Sequence, residues 1–193
     1  GEYDRLTTVF TEELGKLPVR FVGVCRPAGK LKALAEPAVW AEYRLHVSPR
    51  SEFAKCVGGR IVSTFPAARA DLARTTALLY CCELLDKLTA ERAPSPEKYR
   101  LLCATLAALE ASPNRWLSLS FGLRVMDLAG FGLRERAPAP AASVWKALHE
   151  TEPAELAGPA RGPSPARPRA DRGGAAELHL AAAPAPRGRR LGF

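Results

Sequence analysis

The sequence predicts an α+β protein in three parts: a small β-barrel over residues 1–63, an α-helical domain over 64–150, and a low-complexity, mostly disordered Pro/Arg-rich tail over 151–193. Three observations carry that division. Short β-type runs broken by glycine and proline fill the first sixty or so residues. Apolar residues at three- and four-residue spacing take over after Pro66. Nine of the 17 prolines then fall within 134–193, too densely for long helices.

In the first part, Leu6, Thr8 and Phe10 alternate with Arg5, Thr7 and Thr11, interrupted by Val9. Glu13–Lys16 make a turn with Gly15, and Val19, Phe21 and Val22 begin a second run, so the segment reads as a hairpin. Val39, Tyr43, Leu45 and Val47 mark a third strand ending at Ser48-Pro49. Phe53, Cys56, Val57, Ile61 and Val62 mark a fourth, where Gly58-Gly59 predicts a bulge or tight turn. Several short strands with glycine breaks in this length fit a small barrel better than a sandwich.

The helical part follows. Leu72, Leu79, Cys82, Leu85 and Leu88 form one apolar face of a long helix from Asp71. Ser95-Pro96 opens a second, with Leu101, Leu102, Thr105, Leu106 and Leu109 as its stripe. Ser112-Pro113 repeats the start signal for a third helix through Leu128, apolar nearly all round. Ser143–Glu150 forms a short helix carrying Val144, Trp145 and Leu148. Gly158–Gly174 has too little apolar surface to offset the entropy of ordering, and Glu177–Ala183 reads as a weak final helix.

A formal charge of +8 and a pI near 9.6 favour an anionic partner. No apolar run has transmembrane length and no charged-then-apolar leader precedes the first strand, which predicts a cytoplasmic chain without membrane contact. The initial Gly1 leaves open a processed chain or a fragment lacking an upstream strand. Cys25, Cys56, Cys81, Cys82 and Cys103 are odd in number, lie in apolar runs and form no C-x-x-C pair, so they read as small hydrophobes. His46, His149 and His179 sit in separate segments without metal spacing. Gly58-Gly59 and Gly173-Gly174 lack the context of a phosphate loop, and no Ser or Cys comes with a base in a recognisable motif. The sequence predicts no catalytic residues, no metal and no cofactor; the chain is not expected to be an enzyme.

What remains is the basic, aromatic-bearing β segment. Single strands are bound by cations that track phosphates and by flat side chains on which bases stack. The candidate DNA-binding residues are Lys16, Arg20, Arg26, Lys30, Lys32, Arg44, Lys55 and Arg60. Arg20, Arg26, Lys30 and Lys32 are the strongest, because they sit on a strand and the loop after it. Of Tyr3, Phe10, Phe21, Trp40, Tyr43 and Phe53, most belong to the core, leaving one or two to touch bases. Such binding is salt-sensitive and largely indifferent to sequence.

The segment Gly1-Glu-Tyr-Asp-Arg-Leu-Thr-Thr-Val-Phe-Thr-Glu-Glu-Leu-Gly-Lys16, with Gly23-Val-Cys-Arg-Pro27, resembles the N-terminal part of the bacterial RecO family of DNA repair proteins. The similarity continues through Leu34-Ala-Glu-Pro-Ala-Val-Trp-Ala-Glu-Tyr-Arg-Leu45, Phe65-Pro-Ala-Ala-Arg-Ala-Asp-Leu72 and Tyr80-Cys-Cys-Glu-Leu-Leu-Asp-Lys-Leu88. Arg124-Val-Met-Asp-Leu-Ala-Gly130 is similar to the family helix that precedes a zinc module, so the resemblance covers roughly residues 1–133. It implies an OB-fold joined to a helical domain. It also implies a recombination mediator that binds single- and double-stranded DNA, anneals complementary strands, works with RecR, and helps load RecA on strands coated by single-strand-binding protein. A nucleoid-associated location goes with that role.

Two departures stand out. The family pattern has a further strand ahead of Gly1, which leaves the barrel's completeness open. Residues Arg134–Ala142 contain no cysteine, so no zinc site transfers. A natural degenerate tail and a reading-frame change both fit the sequence after residue 133. A second functional reading is a non-catalytic adaptor that captures an acidic protein tail, and a third is a truncated remnant.

Overall fold

The computed structural model describes residues 3–25, 31–136, 141–158 and 178–181. The opening hairpin forms as expected. Strands β1 (Arg5–Thr11) and β2 (Gly15–Phe21) pair antiparallel, from Arg5 opposite Phe21 to Thr11 opposite Gly15. The Thr11 hydroxyl pins the turn, donating to the Gly15 carbonyl at 3.1 Å and accepting the Leu14 N–H at 2.9 Å. Gly15 adopts φ +70°, and a Cβ there would stand 2.4 Å from the Ala93 carbonyl oxygen. Only glycine meets both demands.

Strands β3 (Val39–His46) and β4 (Ala54–Ser63) form a second antiparallel pair. Its register shifts between Arg44 and Leu45, opposite Gly58 and Cys56, so the predicted irregularity at Gly58-Gly59 is present. β4 also runs parallel to β2, with Arg20 opposite Lys55. These four strands make a sheet ordered β1-β2-β4-β3. A fifth strand, β5 (Leu178–Ala181), lies antiparallel to both β3 and β1 and closes the barrel. The weak helix expected over Glu177–Ala183 is therefore replaced by a strand. Four residues cannot distinguish the two periods, and pairing on both sides decides for the strand.

Thr7, Val9 and Thr11 are buried on the inner face with Val19, Phe21 and Tyr43, whereas Leu6, Thr8 and Phe10 face outward. The outer side is not all solvent, because helices cover part of it. These are α1 (Pro66–Arg69), α2 (Leu72–Lys87), α3 (Pro96–Ala111), α4 (Trp116–Leu128), α5 (Ala142–Glu150) and α6 (Pro153–Ala157).

Asp71 caps α2, its carboxylate accepting the Arg74 N–H at 2.9 Å. The buried face of that helix is Leu78, Cys81, Cys82 and Leu85; Leu72, assigned to the stripe from spacing, is 84 % exposed in the first turn. Ser112-Pro113 does not open α4 either. Ser112 ends α3, and the Asn114 side chain opens α4 by accepting the Trp116 N–H at 2.9 Å.

Barrel and helices share one seam. Phe10 enters the helical core, its ring 6.1 Å from that of Tyr99, in one cluster with Phe65, Leu85 and Leu102. Beside it, Lys16 Nζ donates to the Asp86 carbonyl at 2.7 Å and lies 3.4 Å from the Asp86 carboxylate. Lys98 from α3 donates to the Leu88 carbonyl at 2.9 Å. Two cations thus close the C-terminal end of α2, where the last carbonyls lack helical partners and the dipole is negative. At the other end of the seam, Arg69 donates to the carbonyls of Thr64, at 2.5 Å, and Pro37.

Three outcomes are expected. Gly15→Ala costs roughly 1 to 3 kcal/mol more than Gly130→Ala, since both have positive φ but only Gly15 lacks room for a Cβ; urea unfolding measures the difference. Lys16→Met lowers stability by about 1 to 3 kcal/mol, by leaving the Asp86 carbonyl without its charged donor. The third concerns alkali. Burial pushes the Cys82 and Cys103 thiols up to about 12 from 9.0 and raises the Tyr43 and Tyr99 phenols. The unfolded chain releases these protons first, so stability is fully present below pH 9 and declines between about pH 9 and 12. Burial lowers the Lys98 ammonium pKa, which acts in the opposite sense but is one group against four. The urea midpoint is expected to fall from pH 8 to 10.5; a constant midpoint contradicts the assignment.

Candidate nucleic-acid interface

The outer wall of the barrel not covered by helices consists of the outward positions of β2, β4 and β3. Strand alternation puts Arg20 on β2, Lys55 and Val57 on β4, and Arg44 and His46 on β3 on that wall, all exposed. Register brings them together. Arg20 and His46 each stand opposite Lys55 on its two sides, and Arg44 stands opposite Gly58. The missing side chain at Gly58 makes room for the Arg44 guanidinium, which lies 2.7 Å from where a Cβ would be. Gly59 is needed for a different reason: a Cβ would meet the Glu42 carbonyl oxygen at 2.5 Å.

The other predicted cations fare differently. Lys16 is half-buried in the seam against Asp86 and is not on the open wall. Arg60 is exposed but forms a two-pronged ion pair with Glu42, at 2.5 and 3.1 Å, which neutralises it locally. Lys32 is exposed at the start of a single 3₁₀ turn, Ala33–Ala35, whose Leu34 side chain lies against Gly59. Arg26 and Lys30 lie outside the described residues. Arg20 lies 3.7 Å from the partly buried Asp4 carboxylate, a long contact that leaves its half-exposed guanidinium open to a phosphate. Among the described residues, Arg44 and Lys55 take part in no ion pair.

The aromatics divide as strand geometry demands. Phe10, Phe21 and Tyr43 are buried, Phe21 and Tyr43 meeting edge to face at 6.0 Å, and Trp40 is half-buried at the seam. Tyr3 and Phe53 are exposed. Phe53 stands immediately ahead of β4, two positions before Lys55, on a segment held by Arg92, which donates to the Ser51 and Glu52 carbonyls. A stacking ring beside a row of cations can grip a flexible polyanion along both its bases and its backbone. His46, exposed opposite Lys55, joins this surface although it was not singled out as a site residue. The alternation Arg44-Leu45-His46 was the available signal for the histidine.

Among the described residues there is no group of three or more His, Cys, Asp or Glu side chains placed to hold a metal, and no helix is long and apolar enough to cross a membrane. Cys56, Cys81 and Cys82 are buried and Cys103 is partly so, while Cys25 is exposed. Buried His149 packs against Trp145, its Nδ1 3.5 Å from the Asp127 carboxylate.

Residues 69–138, which span the end of α1 through α4, match the family model described as Recombination protein O C terminal. The chain is 36% identical over 132 residues to DNA repair protein RecO of Myxococcus xanthus (strain DK1622), covering 67% of this chain and 53% of that protein. It is 31% identical over 131 residues to DNA repair protein RecO of Desulfitobacterium hafniense (strain DSM 10664 / DCB-2), covering 68% of this chain and 47% of the relative. The chain therefore spans about half the length of these curated relatives. Over the matched segments it belongs to the RecO family.

Proposed function

We propose that this chain is a non-catalytic DNA repair and recombination mediator of the cytoplasm and nucleoid. In this reading it binds single- and double-stranded DNA, anneals complementary strands, and with RecR helps load RecA on strands coated by single-strand-binding protein. The observation that supports it most is the row Arg20–Lys55–His46, with Arg44 beside it, on an exposed barrel wall. Strands about 4.8 Å apart hold the Arg20, Lys55 and Arg44 cations closer together than a Debye length, so their fields add at a bound polyanion. The mechanism is electrostatic. Cations on the wall release counterions from two strands, lower their mutual repulsion and permit pairing.

The second reading, an adaptor for an acidic protein tail, draws on the helical part. Tyr80 of α2 lies against Gly122 of α4, and Leu119 and Trp116, exposed, precede Gly122 by three and six positions on the same helix. The Arg115 guanidinium stands 5.0 Å from the Trp116 ring centroid. An apolar strip with a cation suits a peptide that combines carboxylates with apolar side chains. Competition separates the readings: a shared site lets acidic peptide displace DNA, whereas separate sites give ternary complexes.

Annealing of two labelled complementary oligonucleotides is expected to accelerate with the protein and to lose that acceleration as salt rises. Replacing Arg20, Arg44 and Lys55 together by alanine is expected to weaken single-strand binding. It is also expected to reduce the slope of log affinity against log salt by about 2, at roughly 0.7 per lost phosphate contact. The Lys16→Met variant, altered only at the seam, is expected to keep the wild-type slope. A triple variant with unchanged affinity and slope overturns the assignment of the wall.

A further inference from the structure

The loop that joins α2 to α3 is built into the barrel. Glu91 bridges Lys16 at the start of β2, and the Arg92 N–H donates to the Lys16 carbonyl at 2.8 Å. Ala93 follows so closely that its carbonyl oxygen would stand 2.4 Å from a Cβ on Gly15. Arg92 has φ +56°, a left-handed conformation that a residue with a Cβ keeps where its surroundings hold it. From this fixed point the side chain reaches the loop between β3 and β4. Its Nη2 donates to the Ser51 carbonyl at 3.2 Å and to the Glu52 carbonyl at 3.1 Å. Those two carbonyls lead into Phe53. The Ser51 hydroxyl continues the brace, donating to the Phe53 carbonyl at 2.9 Å and accepting the Phe53 N–H at 3.2 Å. Pairing of β4 with β2 begins at Ala54, opposite Val19, so the backbone ahead of it takes its shape from Arg92 and Ser51.

We propose that Arg92, carried by the helical part of the chain, is a positioning residue for base stacking on the barrel: it fixes the backbone of Ser51 and Glu52 and so sets the exposed Phe53 ring for a base of single-stranded DNA. The inference rests on the single-strand-binding reading of the open wall. A ring two positions before Lys55 can take a base whose phosphate meets the wall cations. A ring on a loose segment would have to be ordered at the moment of binding, which costs affinity; a braced one is ordered beforehand. The Arg92 guanidinium acts here through two backbone carbonyls and not through a phosphate. Its loss therefore falls on the base-dependent part of the affinity and leaves the salt dependence as it was.

The test compares the full chain's affinity for a single-stranded oligothymidylate and for an abasic strand of the same length, over a salt series. Wild type, Phe53→Ala, Arg92→Ala and the double variant are measured side by side. Arg92→Gly, which suits the positive φ, repeats the Arg92 arm with the backbone relaxed. Phe53→Ala is expected to reduce the preference for the base-bearing strand about tenfold, the size of one lost stack. Both Arg92 variants are expected to reduce it about threefold, the ordering cost of one side chain, with the wild-type salt slope. The double variant is expected to fall no lower than Phe53→Ala, because the brace has no ring left to place. Three results overturn the proposal: an unchanged preference in both Arg92 variants, effects that add in the double variant, or a salt slope lower by roughly 0.7, which makes Arg92 a phosphate contact. Phe53→Ala with the wild-type preference overturns it too, by removing the ring from the interface. A wild-type chain that binds neither strand contradicts the reading of the wall itself, whereas a Phe53 effect without an Arg92 effect contradicts the brace alone.

Discussion

The docking of β1 and β2 onto the end of α2 is the interaction on which the remaining structure depends. Strand alternation gives the barrel an outer wall whether or not anything covers it. Phe10 and Lys16 commit one part of that wall to the helices, one by apolar burial against Tyr99 and the other by a charged hydrogen bond to the Asp86 carbonyl. Both terms are local to the seam, and each serves the other. The buried ring excludes water around the lysine contact, and the lysine satisfies a helix end that would otherwise lie unpartnered beside apolar side chains.

Once that part of the wall is taken, the remaining cations acquire their context. Lys16 is consumed by α2 and Arg60 by Glu42, so among the described strand residues the open wall keeps Arg20, Arg44 and Lys55 as its cations. Burial does the sorting, because the same residue types along the same strands end as seam, neutralised pair or open surface. The glycine pair in β4 contributes on both sides. Gly59 admits a close backbone approach that lets β3 and β4 pair, and Gly58 leaves space for the Arg44 guanidinium.

Much of this was legible from sequence, for identifiable reasons. The hairpin, the irregularity at Gly58-Gly59, and the helices after Asp71 and Ser95 follow from turn chemistry, spacing and caps, which are local. The face of β1 was not, because Phe10 is apolar on account of Tyr99 on a helix some ninety positions away, not because it lines the barrel. Leu72 fitted a helical stripe but falls in a first turn with nothing opposite it. Lys16 and Arg60 carry the right charge on the right strands, and only the positions of Asp86 and Glu42 remove them from the open wall. The strand at Leu178–Ala181 was the least legible, since its pairing partners lie about 140 and 170 residues earlier and its own four residues carry little periodic signal.

The division of the wall is the central claim, and photocrosslinking of single-stranded DNA to the full chain, followed by peptide mapping, tests it most directly. The account predicts crosslinks on the segments that carry Arg20, Arg44 and Phe53–Lys55, and none on those that carry Phe10 or the α2–α3 seam. Crosslinks confined to the helices, with the barrel wall unmarked, would contradict it.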